Sequence, residues 1–462
     1  MLDHPTVAEA MQRVMANEHL PLAAFQKLQT ERLRELVRFA AENSAFYAGH
    51  FDSLDLQNVE LTDLPPVNKP IIQANFDEVV TDSRIKLADV KRFCQETGPD
   101  DTPWFLDEYC ALVTSGTTGN RGNYLWDKGA LAEAIAVGFR QSNRGPASTD
   151  GGAIPQRIAA IVQIDVYDAT NILLSMIPPE VGTKRIIDIR QDFAEICAGL
   201  QEFQPTLLAS YPYMLWLLAE AQTAPNNPLN IRPQRITSSA DVLNQSDRTA
   251  IRAAFGVDPH NYYCSTEFPY LCWECDAHEG LHVNADSLIL ESVDAQNQPV
   301  PPGQLGDKVL VTSLSNRVLP LIRYEMSDQV ENMTEPCSCG CVLPRIRTVA
   351  GREEHILTLP GTDGTPVRLI EEYVDDIVGP KTEVATYQVI QEAPDRFTIN
   401  AVGRAGYTWE QVRDAITDGL AECFAKYGVA SELVELNVRE VEQLEPITPG
   451  SEKVCRFWNR SD

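Results

Sequence analysis

The sequence lacks any uncharged apolar run as long as the ~18 residues that a membrane-spanning helix requires, which argues against a membrane protein. Its first residues, MLDHPTVAEAMQRVM, lack the basic head and the apolar block of a secretory signal. Positive charge is scarce, because 38 Lys and Arg face 66 Asp and Glu and leave a net charge of −28. Such an acidic surface repels nucleic acid and anionic membranes. We therefore predict a cytoplasmic protein that binds neither of them.

The composition is otherwise that of an ordinary globular protein, with 44% hydrophobic and 23% charged residues in a chain of 462. A chain of this length is too long for one hydrophobic core, so two or three domains are expected. It contains 11 cysteines, which in a cytoplasmic protein are expected to be thiols or metal ligands rather than disulfides.

The pattern of apolar residues predicts a mixed α/β protein. Residues 6–50 read as helices, since Leu33, Leu36, Val37 and Ala40 recur at the spacing of one helical face. The middle of the chain alternates helical stretches with short strand-like runs, namely IAAIVQIDV, NILLSMI, TLLAS, QRITSSA and DKVLVTSL. Strands that alternate with helices predict layered α/β subdomains.

The character of the sequence changes near Gly351. The hairpin-like run ATYQVIQEAPDRFTINAVG, the helical run WEQVRDAITDGLAECFAKYG and the strand-like run ELNVREV follow in this order. They predict a compact α+β lobe. We therefore expect a large N-terminal domain over residues 1–350 and a small C-terminal domain over 351–462, with a hinge near Gly351–Glu354.

The stretch VTSGTTGNRGNYLW, residues 113–126, combines glycines with serine and threonine. Glycine lets a backbone approach a ligand closely, and hydroxyl and N–H groups bind phosphate. The stretch has neither the Gly-Lys-Ser/Thr ending of a Walker loop nor the pattern Gly-x-Gly-x-x-Gly. By itself it is equally compatible with a surface turn or a phosphate-binding loop.

Five further motifs decide between these two interpretations. ITSSAD, YYCSTE, VLPLIRYEMSD, VAGREEH and ITPGSEK follow the loop in this order along nearly the whole chain. Together they resemble the core motifs of the adenylate-forming superfamily of acyl-CoA synthetases and ligases. The phenylacetate–CoA ligase-like branch, with its capsule-associated relatives, is the most similar group.

The resemblance implies a reaction and a set of ATP-binding residues. A carboxylate would attack the α-phosphate of ATP to give acyl-AMP and pyrophosphate, and the acyl group would pass to CoA. Glu267 is expected to hold Mg²⁺ between the phosphates, Thr114 to supply a catalytic hydroxyl, and Asp328 to accept both ribose hydroxyls. The other residues expected to bind ATP or AMP are Ser115, Gly116, Thr117, Thr118, Gly119, Ser239, Ala240, Asp241, Tyr263, Thr266 and Arg352.

Two residues carry the expected role of the C-terminal lobe. Lys453 stands in a terminal loop, as the catalytic lysine of the superfamily does, and its ammonium would offset charge on the reacting oxygens. Glu354 stands at the hinge, about which the resemblance implies that the lobe swings between the two half-reactions. The chain departs from the usual motifs at Cys264, where glycine is usual, and at Arg121, which replaces a common lysine. Arg121 is either a phosphate contact or a solvated loop residue.

Six of the 11 cysteines lie between Cys264 and Cys341. Thiolates and a histidine grouped in this way suit tetrahedral zinc. We predict a structural zinc site made of Cys275, His282, Cys337 and Cys339, a pattern that resembles one in phenylacetate-type ligases. The rival ligands are Cys272, Cys341 and His278, and the alternative is a set of buried free thiols.

The acid and its acceptor are the least defined features. Tyr167, Tyr211, Tyr213 and Phe268 fall where motifs of this group approach the substrate, and an aromatic lining favours a flat apolar acid. The acceptor is CoA, an amine or a carrier-protein thiol, and a non-catalytic regulator that binds a nucleotide or an acyl group is the alternative from another class. A monomer and a homodimer are both compatible with the sequence.

Overall fold

The computed structural model describes residues 4–96, 104–114, 121–140, 156–164, 169–177, 182–226, 228–349, 351, 355–447 and 453–460. The chain forms two compact units. The first comprises Met1–Ala209 and His260–Thr348, and the second comprises Ser210–Pro259 and Val349–Asp462. The segment Ser210–Pro259 thus groups with the C-terminal part of the chain, whereas the sequence predicts a boundary near residue 350. Within the described residues, no helix is long and apolar enough to cross a membrane.

The first unit contains both helices and sheets. Its helices are α1 (His4–Asn17), α2 (Leu22–Asn43), α3 (Ala45–His50), α4 (Lys69–Ala74), α5 (Phe76–Val79), α6 (Leu87–Glu96), α7 (Lys128–Gly138), α8 (Ala169–Ser175) and α9 (Phe193–Phe203). Helices α1–α3 confirm the helical prediction for residues 6–50. The strand prediction for the run NILLSMI is wrong, because this run lies largely in helix α8. A short apolar run has too few residues to distinguish a period of two from a period of 3.6.

The strands of the first unit form separate groups. They are β1 (Trp104–Phe105), β2 (Tyr109–Val113), β3 (Asn123–Asp127), β4 (Gln156–Val162), β5 (Gly182–Asp188), β6 (Leu207–Ser210), β8 (Pro259–Tyr263), β9 (Cys272–Glu274), β10 (Leu281–Val283), β11 (Leu288–Val293), β12 (Lys308–Ser313), β13 (Tyr324–Met326), β14 (Val330–Met333) and β15 (Arg345–Val349). Strands β1–β2–β3 and β11–β12–β13 form antiparallel sheets. Strands β8, β9, β10 and β15 pair antiparallel in this order, whereas β4 and β5 are parallel.

The second unit contains α10 (Pro212–Thr223), α11 (Gln245–Phe255), α12 (Glu371–Val378) and α13 (Trp409–Tyr427). Its strands are β7 (Arg235–Ser239), β16 (Leu357–Pro360), β17 (Pro366–Leu369), β18 (Val384–Ala393), β19 (Arg396–Gly403), β20 (Glu435–Glu440) and β21 (Phe457–Asn459). The predicted hairpin is β18–β19, and the sheet order is β20–β19–β18–β21. Helix α13 begins with a capping box at Thr408 and packs Ile416 and Leu420 into the core of this lobe.

The two units together make a mixed α/β protein, which confirms the predicted fold class. All 11 cysteines lie in the described ranges, and none of them forms a disulfide.

Candidate active site and metal centre

The base of the predicted phosphate loop lies at the end of β2. Thr114 closes the loop by two hydrogen bonds, since its backbone N–H donates to the Gly122 carbonyl at 3.0 Å and its Oγ1 accepts from the Gly122 N–H at 2.8 Å. The ammonium of Lys69, the first residue of α4, donates to the same Oγ1 at 3.3 Å. A lysine from another element therefore stands at the base of a loop that has no lysine of its own.

Glu267 lies beside two buried phenols. The Tyr124 hydroxyl donates to Glu267 Oε1 at 3.0 Å, and the Tyr324 hydroxyl lies 2.8 Å from that of Tyr124. Phe268 packs edge-on against Tyr324, with ring centroids 5.9 Å apart. Because Phe268 is only 2% exposed, it is part of this packing rather than an open pocket wall.

Other predicted nucleotide residues of the first unit follow its strands. Tyr263 ends β8, and Thr266 lies in the loop after it. Asp328 follows β13 and is 8% exposed. Arg121 is exposed.

In the second unit, predicted residues far apart in the sequence come together. Asp241 follows β7, with Ala240 before it in a left-handed conformation at φ 70°. Desolvation raises the pKa of the Asp241 carboxyl, and the nearby positive charges of His355 and, to a smaller extent, Lys453 oppose this shift. The ammonium of Lys453 stands 5.5 Å from the ring centroid of Tyr211, within the range of a cation–π contact.

The two tyrosines that the sequence assigns to the acid differ in their surroundings. Tyr211 is 7% exposed and faces Lys453. Tyr213 stacks on Trp216 at 5.6 Å, and its hydroxyl accepts a hydrogen bond from the Leu444 N–H at 3.1 Å. Tyr211 is therefore the better placed of the two to meet a substrate near the lysine.

The predicted metal ligands meet in the first unit. The ligand atoms of Cys275, His282, Cys337 and Cys339 all lie within 4.8 Å of one another. Cys275 Sγ is 3.6 Å from Cys337 Sγ, and Cys339 Sγ is 3.4 Å from His282 Nε2. Zinc with ligands at about 2.3 Å spaces tetrahedral ligand atoms by about 3.8 Å, so these separations fit. We call this group the cysteine–histidine cluster.

The orientation of His282 also suits a metal. Its Nδ1 lies 3.3 Å from the Leu343 carbonyl, which can only accept, so Nδ1 carries the proton. Nε2 then keeps a lone pair toward Cys339, the arrangement usual for a metal-binding histidine. His282 also stacks on Trp273 of the paired strand β9, at 4.9 Å between ring centroids.

Backbone geometry explains how the loops reach the cluster. Gly280 precedes β10 with φ +96°, and a Cβ there would come within 2.6 Å of the Ile346 carbonyl oxygen. Gly340, with φ +78°, turns the CSCGC segment, and its N–H donates to the Cys337 carbonyl at 3.1 Å. The rival ligands Cys272, Cys341 and His278 do not belong to the group of four in the described chain.

Several predicted residues lie outside the described part of the chain. They are Ser115, Gly116, Thr117, Thr118, Gly119, Tyr167, Arg352 and Glu354.

Comparisons with known proteins bear on the family. No protein-family model matches the chain. The chain is 23% identical over 363 residues to phenylacetate-coenzyme A ligase from Pseudomonas putida, which is 76% of this chain and 75% of that protein. It is 26% identical over 175 residues to the enzyme of the same name from Thermus thermophilus, with coverage of only 37% and 39%. The chain is therefore similar in sequence to phenylacetate–CoA ligases.

A solved structure supports the predicted fold. The structure of 2-hydroxyisobutyryl-CoA ligase in the postadenylation state matches with a TM-score of 0.72 and 15% identity, over 96% of this chain and 91% of that chain. The chain therefore shares the fold of that ligase, as the motifs predict.

Two residues that no motif singles out, Lys69 and Tyr124, contact the predicted site residues Thr114 and Glu267. Lys69 precedes a proline in a polar stretch, and the only sequence signal that points to it is the absence of a lysine from the loop. Tyr124 looks like an ordinary strand residue, because an aromatic side chain suits a buried β-strand whether or not its hydroxyl meets a carboxylate.

Proposed function

We propose that this protein is an ATP-dependent acid–CoA ligase that works through an acyl-AMP. In the first half-reaction, an oxygen of the acid attacks the α-phosphorus of ATP, and the bond to the bridging oxygen breaks to release pyrophosphate. In the second, the thiol sulfur of CoA attacks the acyl carbon, AMP leaves with the bonding electrons, and the thiol proton goes to solvent. The position of Lys453 beside Tyr211 and near Asp241 is the observation that carries this proposal.

The roles of the second-unit residues follow from that position. We assign the Lys453 ammonium to the charge that develops on the carboxylate and α-phosphate oxygens in the transition state. Tyr211 is assigned to the acid, and Ser239, Ala240 and Asp241 to the adenine. An aromatic ring beside the reacting group favours an aromatic or otherwise apolar acid.

The first-unit residues are assigned to the phosphates and the ribose. The loop that Thr114 closes is assigned to the triphosphate, and Lys69 is assigned to supply the lysine ammonium that the loop itself lacks. Glu267 is assigned to Mg²⁺, which when bound neutralises phosphate charge. Asp328 is assigned to the ribose hydroxyls, since a fixed carboxylate accepts two hydrogen bonds at once.

The cysteine–histidine cluster is assigned to a structural zinc ion. Four ligands from three segments of the first unit fill a tetrahedral set and leave no position for a substrate. The cluster would then tie β9, β10 and the CSCGC loop together rather than take part in the chemistry.

The test is acid-dependent exchange of labelled pyrophosphate into ATP, run with phenylacetate, benzoate, 2-hydroxyisobutyrate and short aliphatic acids. We expect exchange with an aromatic acid and a loss of about 10²–10³-fold in Lys453→Ala. Lys426→Ala, which removes an exposed lysine of α13, is the matched control and should retain exchange. AMP release that needs CoA, and that amines do not support, identifies the acceptor.

Absence of exchange with every acid in the wild-type protein would contradict the proposal and favour a non-catalytic binding role. Equal exchange in Lys453→Ala and wild type would contradict the assignment of the lysine alone.

A further inference from the structure

Three side chains from distant parts of the first unit form a chain of hydrogen bonds that ends at Glu267. Tyr124 comes from β3, Tyr324 from β13, and Glu267 from the loop after β8. Tyr124 Oη is 3.0 Å from Glu267 Oε1, Tyr324 Oη is 2.8 Å from Tyr124 Oη, and Tyr324 Oη is 3.5 Å from the same Oε1. Both phenol hydroxyls therefore lie within hydrogen-bond distance of the same carboxylate oxygen.

Counting protons fixes the direction of these bonds. A phenol has a single proton to donate. Tyr124 gives its proton to Oε1 at the shorter distance, so its oxygen accepts the proton of Tyr324. The order is Tyr324 to Tyr124 to Glu267, and the 3.5 Å approach of Tyr324 to Oε1 is a second, weaker contact. Within the described residues, no hydrogen bond reaches Oε2 of Glu267.

Burial keeps this chain of donors intact. Tyr124 is 1% exposed and Tyr324 is 2% exposed. Both hydroxyls are therefore shielded from water, which would otherwise compete for the carboxylate. A hydrogen bond from a neutral donor to a carboxylate is charge-assisted and stronger than one between neutral groups.

Packing leaves the phenols little room to move. A Cβ at Gly122 would come within 2.7 Å of the Tyr124 ring and 2.8 Å of its hydroxyl, so the ring lies directly on the backbone at the end of the phosphate loop. The ring of Tyr324 is held by Phe268 on one side and by Tyr124 on another, at 5.9 and 6.4 Å between centroids. The carboxylate is thus anchored to the strand that follows the loop.

We propose that Tyr124 and Tyr324 are positioning residues that hold Oε1 of Glu267 and so present its other oxygen to the divalent cation of the nucleotide. The inference rests on the proposed function, in which Glu267 holds Mg²⁺. The two phenols would support the metal-binding carboxylate by hydrogen bonds. Removing such a supporting hydrogen bond usually changes metal affinity by about 10–100-fold.

The experiment compares Tyr124→Phe, Tyr324→Phe and the double variant with wild type. The readouts are the Mg²⁺ concentration that gives half-maximal pyrophosphate exchange, and the affinity for Mn²⁺ in the presence of a non-hydrolysable ATP analogue. We expect Tyr124→Phe to raise both the half-maximal concentration and the Mn²⁺ dissociation constant about 10-fold. Tyr324→Phe acts through Tyr124 and should raise them about 3-fold, and the double variant should not exceed Tyr124→Phe by more than about 2-fold.

Tyr47→Phe is the matched control. Tyr47 is fully buried in the same unit, and its hydroxyl donates to the Pro320 carbonyl at 2.8 Å, far in sequence from Glu267. This variant should lower the melting temperature and leave the metal dependence unchanged. If Tyr124→Phe behaves in the same way, the phenols are merely structural and the proposal is wrong. Absence of exchange in wild type would contradict the proposed function instead, and Mn²⁺ binding would still report on the phenols.

Discussion

Two buried polar clusters, one in each unit, differ in what neutralises them. The cysteine–histidine cluster of the first unit gathers three thiols and an imidazole, with none of the basic side chains Lys and Arg among them. The second cluster consists of Asp247, Glu371, Asp375 and Arg456, all between 1% and 6% exposed, and we call it the acid–arginine cluster. The four side chains of the first cluster include no cation, whereas the second cluster has a guanidinium of its own.

The acid–arginine cluster nevertheless has more acids than cations. Arg456 forms an ion pair with Asp247. Asn244 Nδ2 donates to Glu371 at 3.0 Å, and Ser246 donates to both oxygens of Asp375 at 2.9 and 3.0 Å. One arginine cannot neutralise three buried carboxylates, so at least one acid is driven toward its protonated form. Burial accordingly raises the pKa of Asp247 to about 7 and that of Glu371 to about 8.

The comparison shows two ways to balance buried negative charge: a bound metal ion or a positively charged side chain of the protein itself. Where a metal ion balances the charge, the stability of the fold depends on the metal concentration. Where one arginine faces a larger number of carboxylates, the stability depends on pH. Arg456 lies in the same terminal segment as Lys453, so the acid–arginine cluster also fixes the chain next to the proposed catalytic lysine.

The largest expected effect is the loss of zinc and of thermal stability when the cysteine–histidine cluster loses a ligand. Cys339→Ser removes one of four ligands, so we expect bound zinc to fall from one equivalent to less than half, because a three-ligand site holds zinc far more weakly. We expect the melting temperature to drop by at least about 5 °C, since metal binding contributes directly to folding. Elemental analysis and thermal unfolding measure the two quantities.

Cys197→Ser, in the half-buried part of α9, is the control for this variant and should keep its zinc. A wild-type protein purified without chelator that holds less than half an equivalent of zinc would contradict the metal assignment.

A smaller loss of stability is expected when the acid–arginine cluster loses its arginine. Arg456→Met keeps the apolar stem and removes the guanidinium from beside three buried acids, which should cost about 3–5 kcal/mol in the free energy of unfolding. Arg413→Met breaks an exposed ion pair with Asp414, whose side chains are 48% and 64% exposed. That control should change the free energy of unfolding by less than about 1 kcal/mol.

Denaturant unfolding at pH 7 measures both arginine variants. Equal effects at the two positions would show that the acid–arginine cluster is solvated and not a buried ion-pair network.

The smallest expected effect concerns pH. The ordinary pKa values of Asp247 and Glu371 are 3.8 and 4.5, and the folded values are about 7 and about 8. Between these limits the folded protein binds more protons than the unfolded chain, so the free energy of unfolding falls as pH rises. This contribution is fully present below about pH 4 and is lost as the pH passes through about 7 to 8.

Glu371→Gln should flatten the fall in melting temperature between pH 5 and pH 8.5 by a few degrees, about what 1–2 kcal/mol produces. Glutamine can still accept the Asn244 hydrogen bond but cannot ionise. Glu410→Gln, at an exposed position in the first turn of α13, should leave the profile unchanged. Parallel profiles for Glu371→Gln and wild type would contradict the account.

Several parts of this protein could be predicted from local pattern. Short-range periodicity predicts both the helical face of Leu33, Leu36 and Val37 and the hairpin β18–β19. The structure confirms both predictions. The cysteine spacing identified the four residues that the structure brings together. The run in α8 was misassigned for the opposite reason, because its few apolar residues carry no clear period.

The order of motifs along the chain by itself predicted the resemblance to acyl-CoA ligases, the fold class and most candidate residues, because the chemistry of each motif depends on one short stretch of sequence. Only the tertiary structure decided that Lys69 meets Thr114, that two phenols meet Glu267, and that Arg456 meets Asp247. The physical reason is distance along the chain. Such partners come from separate strands and helices, and neither composition nor periodicity specifies which of many similar side chains will share one buried space.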